Sequence, residues 1–181
     1  MGIKKTMKIK LNKSELLIGT NRAQGAITDR TQAVISLKAS RKGSLLLSAA
    51  DRILAVYSEV VCEVEKEGMC FVPAKFFVGI VKELPNGEVT LEVKGHYLHI
   101  IAGQQDSFFM KIPILEDMTW QNPPTVETKE NVANISAVKF SYMIDQVQFC
   151  LVPDSPRSYG AVAFLHKTPE GSLRLVGTDG F

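Results

Sequence analysis

Few residues of this chain have the types and spacing that chemistry needs. Cys150 and His166, with Asp145 or Asp179, can be drawn as a nucleophile, its base and an orienting carboxylate. Nothing in their spacing demands that arrangement, and a cysteine at the end of an apolar helix ordinarily packs. His96 and His99 stand three residues apart on a strand-like segment, which places them on opposite faces and keeps them from sharing a metal ion. There is no Walker loop, no G-x-G-x-x-G and no H-E-x-x-H, so no cofactor is expected. Cys62, Cys70 and Cys150 form no C-x-x-C pair, and their odd number speaks against a disulfide framework. Cys62 and Cys150 sit in apolar runs and read as thiols buried in a reducing cytoplasm.

The cations offer more. Lys75, Gly79 and Lys82 recur at i, i+4 and i+7, on a stripe separate from the apolar Phe77, Ile80, Val81 and Leu84. Arg22 likewise lies off the apolar row Leu16, Thr20, Ala23 and Ile27. Point charges held on helices can track phosphates without reading bases. No aromatic residues interleave with them, so sequence-independent contact with a duplex fits better than single-strand stacking. The net charge of +2 is unevenly spread: residues 1–42 carry ten basic and two acidic residues, and the remaining 139 carry 11 basic and 17 acidic. A basic surface for polyanions, joined to one that avoids them, is the expectation.

A chain of 181 residues with 45% hydrophobic and 22% charged residues is long enough for one large domain or two small ones. That composition excludes disorder and collagen-like repetition. No apolar run approaches the roughly 20 residues that cross a bilayer, so no membrane partner is expected. Residues 7–11 alternate as a strand, and Asn12 with Glu15 forms a helix N-cap signature with a returning carboxylate. Residues 33–39 and 44–50 flank a turn as a hairpin, and 53–64 continues as one further strand. Pro73 opens a second helix, which Pro85-Asn86-Gly87 stops. Three strands follow at 89–93, 97–102 and 108–112, and then a linker around Pro123-Pro124. Ser136 starts a third helix, ahead of strands at 161–166 and 173–177.

The pattern also restarts. Residues 43–51 (GSLLLSAAD) and 171–179 (GSLRLVGTD) agree at five of nine positions at an offset of 128, and Arg30 and Arg157 follow their helices at an offset of 127. This points to a duplicated domain of about 125 residues.

Taken together these residues resemble the bacterial DNA polymerase III beta subunit family, the sliding clamps. Residues 71–77 (FVPAKFF), with Lys82-Glu83-Leu84-Pro85, are similar to the second helix of that family's first domain. Met7-Lys8-Ile9 matches the usual start, and Leu175-Val176-Gly177-Thr178-Asp179-Gly180 resembles the middle-domain signature. The resemblance implies an α+β DNA-clamp fold of repeated domains, each with two inner helices packed on outer antiparallel sheets. It divides the chain into an extension at 1–6, a first clamp domain at 7–124, a linker at 125–135 and an incomplete middle domain at 136–181. It implies a processivity factor without catalysis of its own, whose homodimeric ring encircles double-stranded DNA in the cytoplasm. DNA polymerase III and the clamp loader would bind through short linear motifs.

By position Arg30, Lys75 and Lys82 match DNA-facing residues, Arg157 and Tyr159 the corresponding middle-domain loop, and Arg22 joins them from the helix pattern. Asp154 stands where many clamps carry glutamine and would repel phosphate. Phe76, Ile80, Phe108 and Met110 match the subunit interface; Thr178, Gly180 and Phe181 match the partner-peptide pocket, with Phe181 in place of a usual histidine. Clamps are about twice this long, so the resemblance implies that these residues are not the whole functional protein. The alternative is a clamp-like paralogue or fragment that serves only as a protein-interaction module, without ring closure.

Overall fold

A computed structural model describes residues 6–27, 33–50, 54–116, 118, 134–152, 160 and 162–179. Arg30, Asp154, Arg157, Tyr159, Gly180, Phe181 and the expected linker lie outside the described residues. The chain divides into two compact units, Met1–Pro124 and Thr125–Phe181.

Asn12 ends the first strand and starts the first helix. Strand β1 (Lys8–Asn12) alternates half-buried lysines with buried Ile9 and Leu11. The Asn12 side chain then accepts from the Ser14 amide at 3.0 Å and caps α1 (Lys13–Gln24). Glu15 does not return a bond, so this cap is one-sided. Helix α1 buries Leu16, Gly19, Thr20 and Ala23: Gly19 joins the apolar row read from the sequence, and Ile27 falls beyond the helix end and is half-buried. Gly19 belongs there because a Cβ at that point would lie 2.6 Å from Leu47 Cδ1 and 3.1 Å from Val60 Cγ1.

The hairpin of β2 (Val34–Ser40) and β3 (Ser44–Ala50) turns at Gly43, whose φ of +78° suits glycine. The single strand expected over 53–64 is instead two, β4 (Ala55–Val61) and β5 (Glu63–Lys66). At Cys62, whose amide donates to the Gly43 carbonyl at 3.0 Å, the chain leaves one sheet for the other. Strand β6 (Gly68–Pro73) leads into α2 (Ala74–Glu83), and β7 (Glu88–Lys94), β8 (Tyr97–Ala102) and β9 (Phe108–Pro113) form a meander. Two antiparallel sheets result, ordered β4-β3-β2-β6 and β5-β1-β7-β8-β9. The two helices pack on each other, α1 also against β3 and β4, and α2 against β2 and β6. The buried side chains between them, among them Ile9, Leu16, Leu37, Leu47, Phe77, Leu91 and Ile100, form one core.

In the second unit α3 (Ala137–Asp145) precedes a hairpin of β10 (Phe164–Lys167) and β11 (Leu173–Val176). Gly171 has φ of +86°, close to that of Gly43, so the two matching sequence segments hold the same place after a hairpin turn. None of the described apolar side chains of this unit is buried; Tyr142, Phe149 and Phe164 are each more than half exposed.

Candidate nucleic-acid interface

At about 100° per residue, α2 sorts into three stripes. Ala74, Phe77, Val78 and Val81 are buried. Lys75, Gly79 and Lys82 lie roughly 110° round the helix from them, and Phe76 and Ile80 lie on the opposite flank. The N-cap is Pro73, which offers no side-chain hydrogen bond, and the first turn holds no acid. It holds Lys75 instead, where the helix dipole disfavours a cation by about 0.3–1 kcal/mol. The helix dipole therefore gives Lys75 no stabilisation at that place.

Lys75, Gly79 and Lys82 line an open groove of about 510 Å³, completed by Ala74 and Val78 and, at the end of α1, by Gln24 and Ile27. A Cβ on Gly79 would meet nothing within 4 Å, so the groove is bare between the two lysines. Arg22 is exposed in the last turn of α1, two residues before Gln24. Among the described residues none of Arg22, Lys75 and Lys82 has a carboxylate partner.

Four other cations of the basic N-terminal stretch, Lys8, Lys10, Lys13 and Arg41, are spent differently. Lys8 and Lys10 reach Glu65 on β5 at 2.6 and 3.6 Å, and Arg41 reaches Glu67 at 3.0 Å. The hydrogen bond from Lys8 holds the Glu65 carboxyl below the usual carboxylate range, and Glu65 in turn raises Lys8. Lys13 donates through Nζ to the Leu84 carbonyl and through its amide to the Gly87 carbonyl, tying α1 to the end of α2. The stretch is thus not one basic face, because alternation on β1 points Lys8 and Lys10 away from the helices. Arg22, Lys75 and Lys82, on α1 and α2, are among the described cations without a carboxylate partner.

The remaining candidates fall into separate places. The Cys150 thiol donates to the Val147 carbonyl at 2.9 Å, His166 stacks on Phe164 at 5.1 Å, and Asp145 accepts from Gln148 at 3.0 Å. No nucleophile–base pair is assembled by these groups. Burial pushes the Cys62 thiol up to about 11 and Cys70 up to about 12, which leaves both unreactive at neutral pH. His96 meets Glu116 at 2.6 Å, and His99 stands edge-on to Phe109.

Phe76 is 63% exposed on the apolar flank of α2, with Ile80 half-buried beside it. Phe108 and Met110 share one face of β9, an edge strand whose outer backbone has no partner among the described residues. Thr178 is exposed just beyond β11. Before it, a Cβ on Gly177 would come within 3.0 Å of Cys150 Sγ and 3.2 Å of Val147 Cβ, so the signature glycine allows a close crossing. The sequence reading does not include Gln24, and it takes Ile27 as part of an apolar row rather than of a groove. Their place beside Lys75 depends on how two helices pack, which local spacing does not encode.

The family profile described as DNA polymerase III beta subunit, N-terminal domain, matches residues 7–119. The chain belongs to the DNA polymerase III beta subunit family. That match takes in β1 through β9 and both helices of the groove. The beta sliding clamp of Caulobacter vibrioides is 24% identical over 181 residues, covering 96% of this chain and 48% of that protein. In solved structures, the Caulobacter crescentus beta sliding clamp aligns at a TM-score of 0.79 with 24% identity, covering 97% of this chain and 48% of its own. The DNA polymerase III subunit beta of Pseudomonas aeruginosa aligns at 0.77 with 26% identity, covering 96% and 47%. The α+β architecture is therefore the DNA-clamp fold, and the chain spans about half the length of the curated relatives it matches.

Proposed function

We propose that this chain forms part of a sliding clamp, a non-catalytic processivity factor that surrounds duplex DNA and tethers a replicative polymerase. One observation carries the reading: Lys75 and Lys82 stand on one stripe of α2, beside an open groove and without a carboxylate partner among the described residues, with Lys75 where the helix dipole opposes it. Charges on rigid helices, with no group posed to read bases, hold phosphates at nearly equal energy along the duplex, and that is what sliding needs. Arg22 and Arg30 extend the cationic face in the first domain, and Arg157 and Tyr159 supply its counterpart in the second.

In this reading residues 7–124 are the first clamp domain, after an extension at 1–6; 125–135 link it to the part of the middle domain at 136–181. Phe76, Ile80, Phe108 and Met110 supply one half of a head-to-tail homodimer contact. Thr178, Gly180 and Phe181 supply one side of the pocket for short motifs of DNA polymerase III and the clamp loader. The work is done in the bacterial cytoplasm, on the nucleoid. The test is retention on DNA by the protein at its native length. Loaded on a closed circular plasmid it stays bound at high salt and is lost when the circle is cut. Equal retention on circular and linear DNA would overturn encirclement.

A further inference from the structure

The two helices of the groove are tied to each other by one side chain. Lys13 opens α1, where the dipole of its own helix gives a cation no stabilisation. The side chain is half-buried and has no carboxylate partner among the described residues. It donates instead through Nζ to the carbonyl of buried Leu84, at the C-cap of α2. The last carbonyls of a helix lack intrahelical partners and attract cations, so Lys13 serves the end of α2 rather than the start of α1. Its backbone is fixed as well. The ladder of β1 and β7 ends with Asn12 opposite Glu88, and the Lys13 amide donates to the Gly87 carbonyl at 2.8 Å.

The helices run antiparallel. The start of α1 meets the end of α2 at Lys13, whereas Gln24 and Ile27, from the other end of α1, line the groove with Ala74 and Lys75 at the start of α2. Among the described residues no hydrogen bond joins the helices at that second end. Between the two ends α1 presses on the sheet at Gly19, where Leu47 Cδ1 fills the place of a side chain. Gln24 lies roughly 7.5 Å beyond Gly19 along the helix axis, so a tilt of about 10° about Gly19 moves it by roughly 1.3 Å. Packing alone holds the far end, and the bond at Lys13 sets the tilt. A displacement of about 1 Å is enough to spoil a binding site whose supporting contacts are loose.

We infer that Lys13 is a positioning residue for the groove: it sets the angle between α1 and α2, and with it the placing of Arg22 against Lys75 and Lys82, without itself touching a phosphate. The inference rests on the reading of this groove as the face that holds duplex DNA. The test compares Lys13→Met, which keeps the apolar stem and the backbone bond to Gly87, with Lys13→Arg, which restores a charged donor. In the full chain Lys13→Met shifts the methyl resonances of Ile27 and Val78, at the far end of α1 from the substitution. It also raises the dissociation constant for a short duplex roughly threefold, and Lys13→Arg brings both back toward wild type. The slope of log K against log salt stays at its wild-type value in Lys13→Met, because the same phosphates are still met; a lysine that held a phosphate itself would take about 0.9 from it. A slope shallower by that amount, methyl resonances that do not move, wild-type affinity in Lys13→Met, or equal loss in both variants would each overturn the proposal. Unchanged amide resonances of β2, β3, β8 and β9 verify that both variants remain folded. The reading of the groove itself fails on wild type alone, if that binds no duplex, whereas the outcomes that overturn the role of Lys13 arise only in the variants.

Discussion

At Gly19 and Gly79 the same residue does opposite things. Glycine inside a helix costs about 1 kcal/mol relative to alanine. At Gly19 the sheet overrides that preference, because Leu47 Cδ1 stands 2.6 Å from where a Cβ would be and is itself fully buried. Gly19→Ala therefore destabilises the protein by about 1–3 kcal/mol through overpacking. Gly79 faces open space, so Gly79→Ala stabilises by about 0.5–1 kcal/mol. Urea unfolding monitored by circular dichroism reads both, and two shifts of the same sign would contradict the packing assigned to α1. Glu65 and Lys8 give a second residue-scale expectation. The Glu65 carboxyl is lowered in the folded state, so its contribution is present at neutral pH and lost as pH falls through that lowered range. Lys8 is raised, so its contribution is present below the ordinary lysine range and lost above it. The stability difference between wild type and Glu65→Gln, measured by urea titration from pH 7 to pH 3, closes toward the acid end; a difference independent of pH would show the pair to be idle.

At the scale of one element, α2 holds its whole argument in ten residues. Removing Lys75 from the first turn and placing an acid there satisfies the dipole, so Lys75→Glu raises stability by about 0.5–1 kcal/mol while weakening duplex binding. A melting curve and a binding isotherm on the same preparation check this; a loss of both would make Lys75 a structural residue. The stripes of α2 were legible in the sequence because helical period and the position of Pro73 are local. The break between β4 and β5 was not. Alternation runs on through Cys62, and only the distant partners, β3 for one strand and β1 for the other, decide that the chain changes sheets there. The capping signature at Asn12 was likewise right about where α1 begins and wrong about Glu15, whose carboxylate returns no bond to the Asn12 amide.

Over the whole molecule, the basic N-terminal stretch divides into cations that hold the fold and cations left free. Charge counting sees their sum, but only the fold separates Lys8, Lys10, Lys13 and Arg41 from Arg22. The order of elements, the hairpin repeat and the family resemblance were readable from residues 7–119 and the signature after Leu173. The groove was half readable: its lysines lie on one helix, whereas Gln24 and Ile27 reach it from another. Membership of the clamp family and the unpaired stripe on α2 converge on one claim, that this helical face holds the phosphates of duplex DNA. The measurement that tests it most directly is the salt dependence of duplex binding by wild type and by Lys75→Ala/Lys82→Ala. With each lysine on one phosphate, the slope of log K against log salt becomes shallower by about 1.8, equally for duplexes of different sequence. A slope unchanged by the double substitution, or a loss confined to certain sequences, would contradict the account.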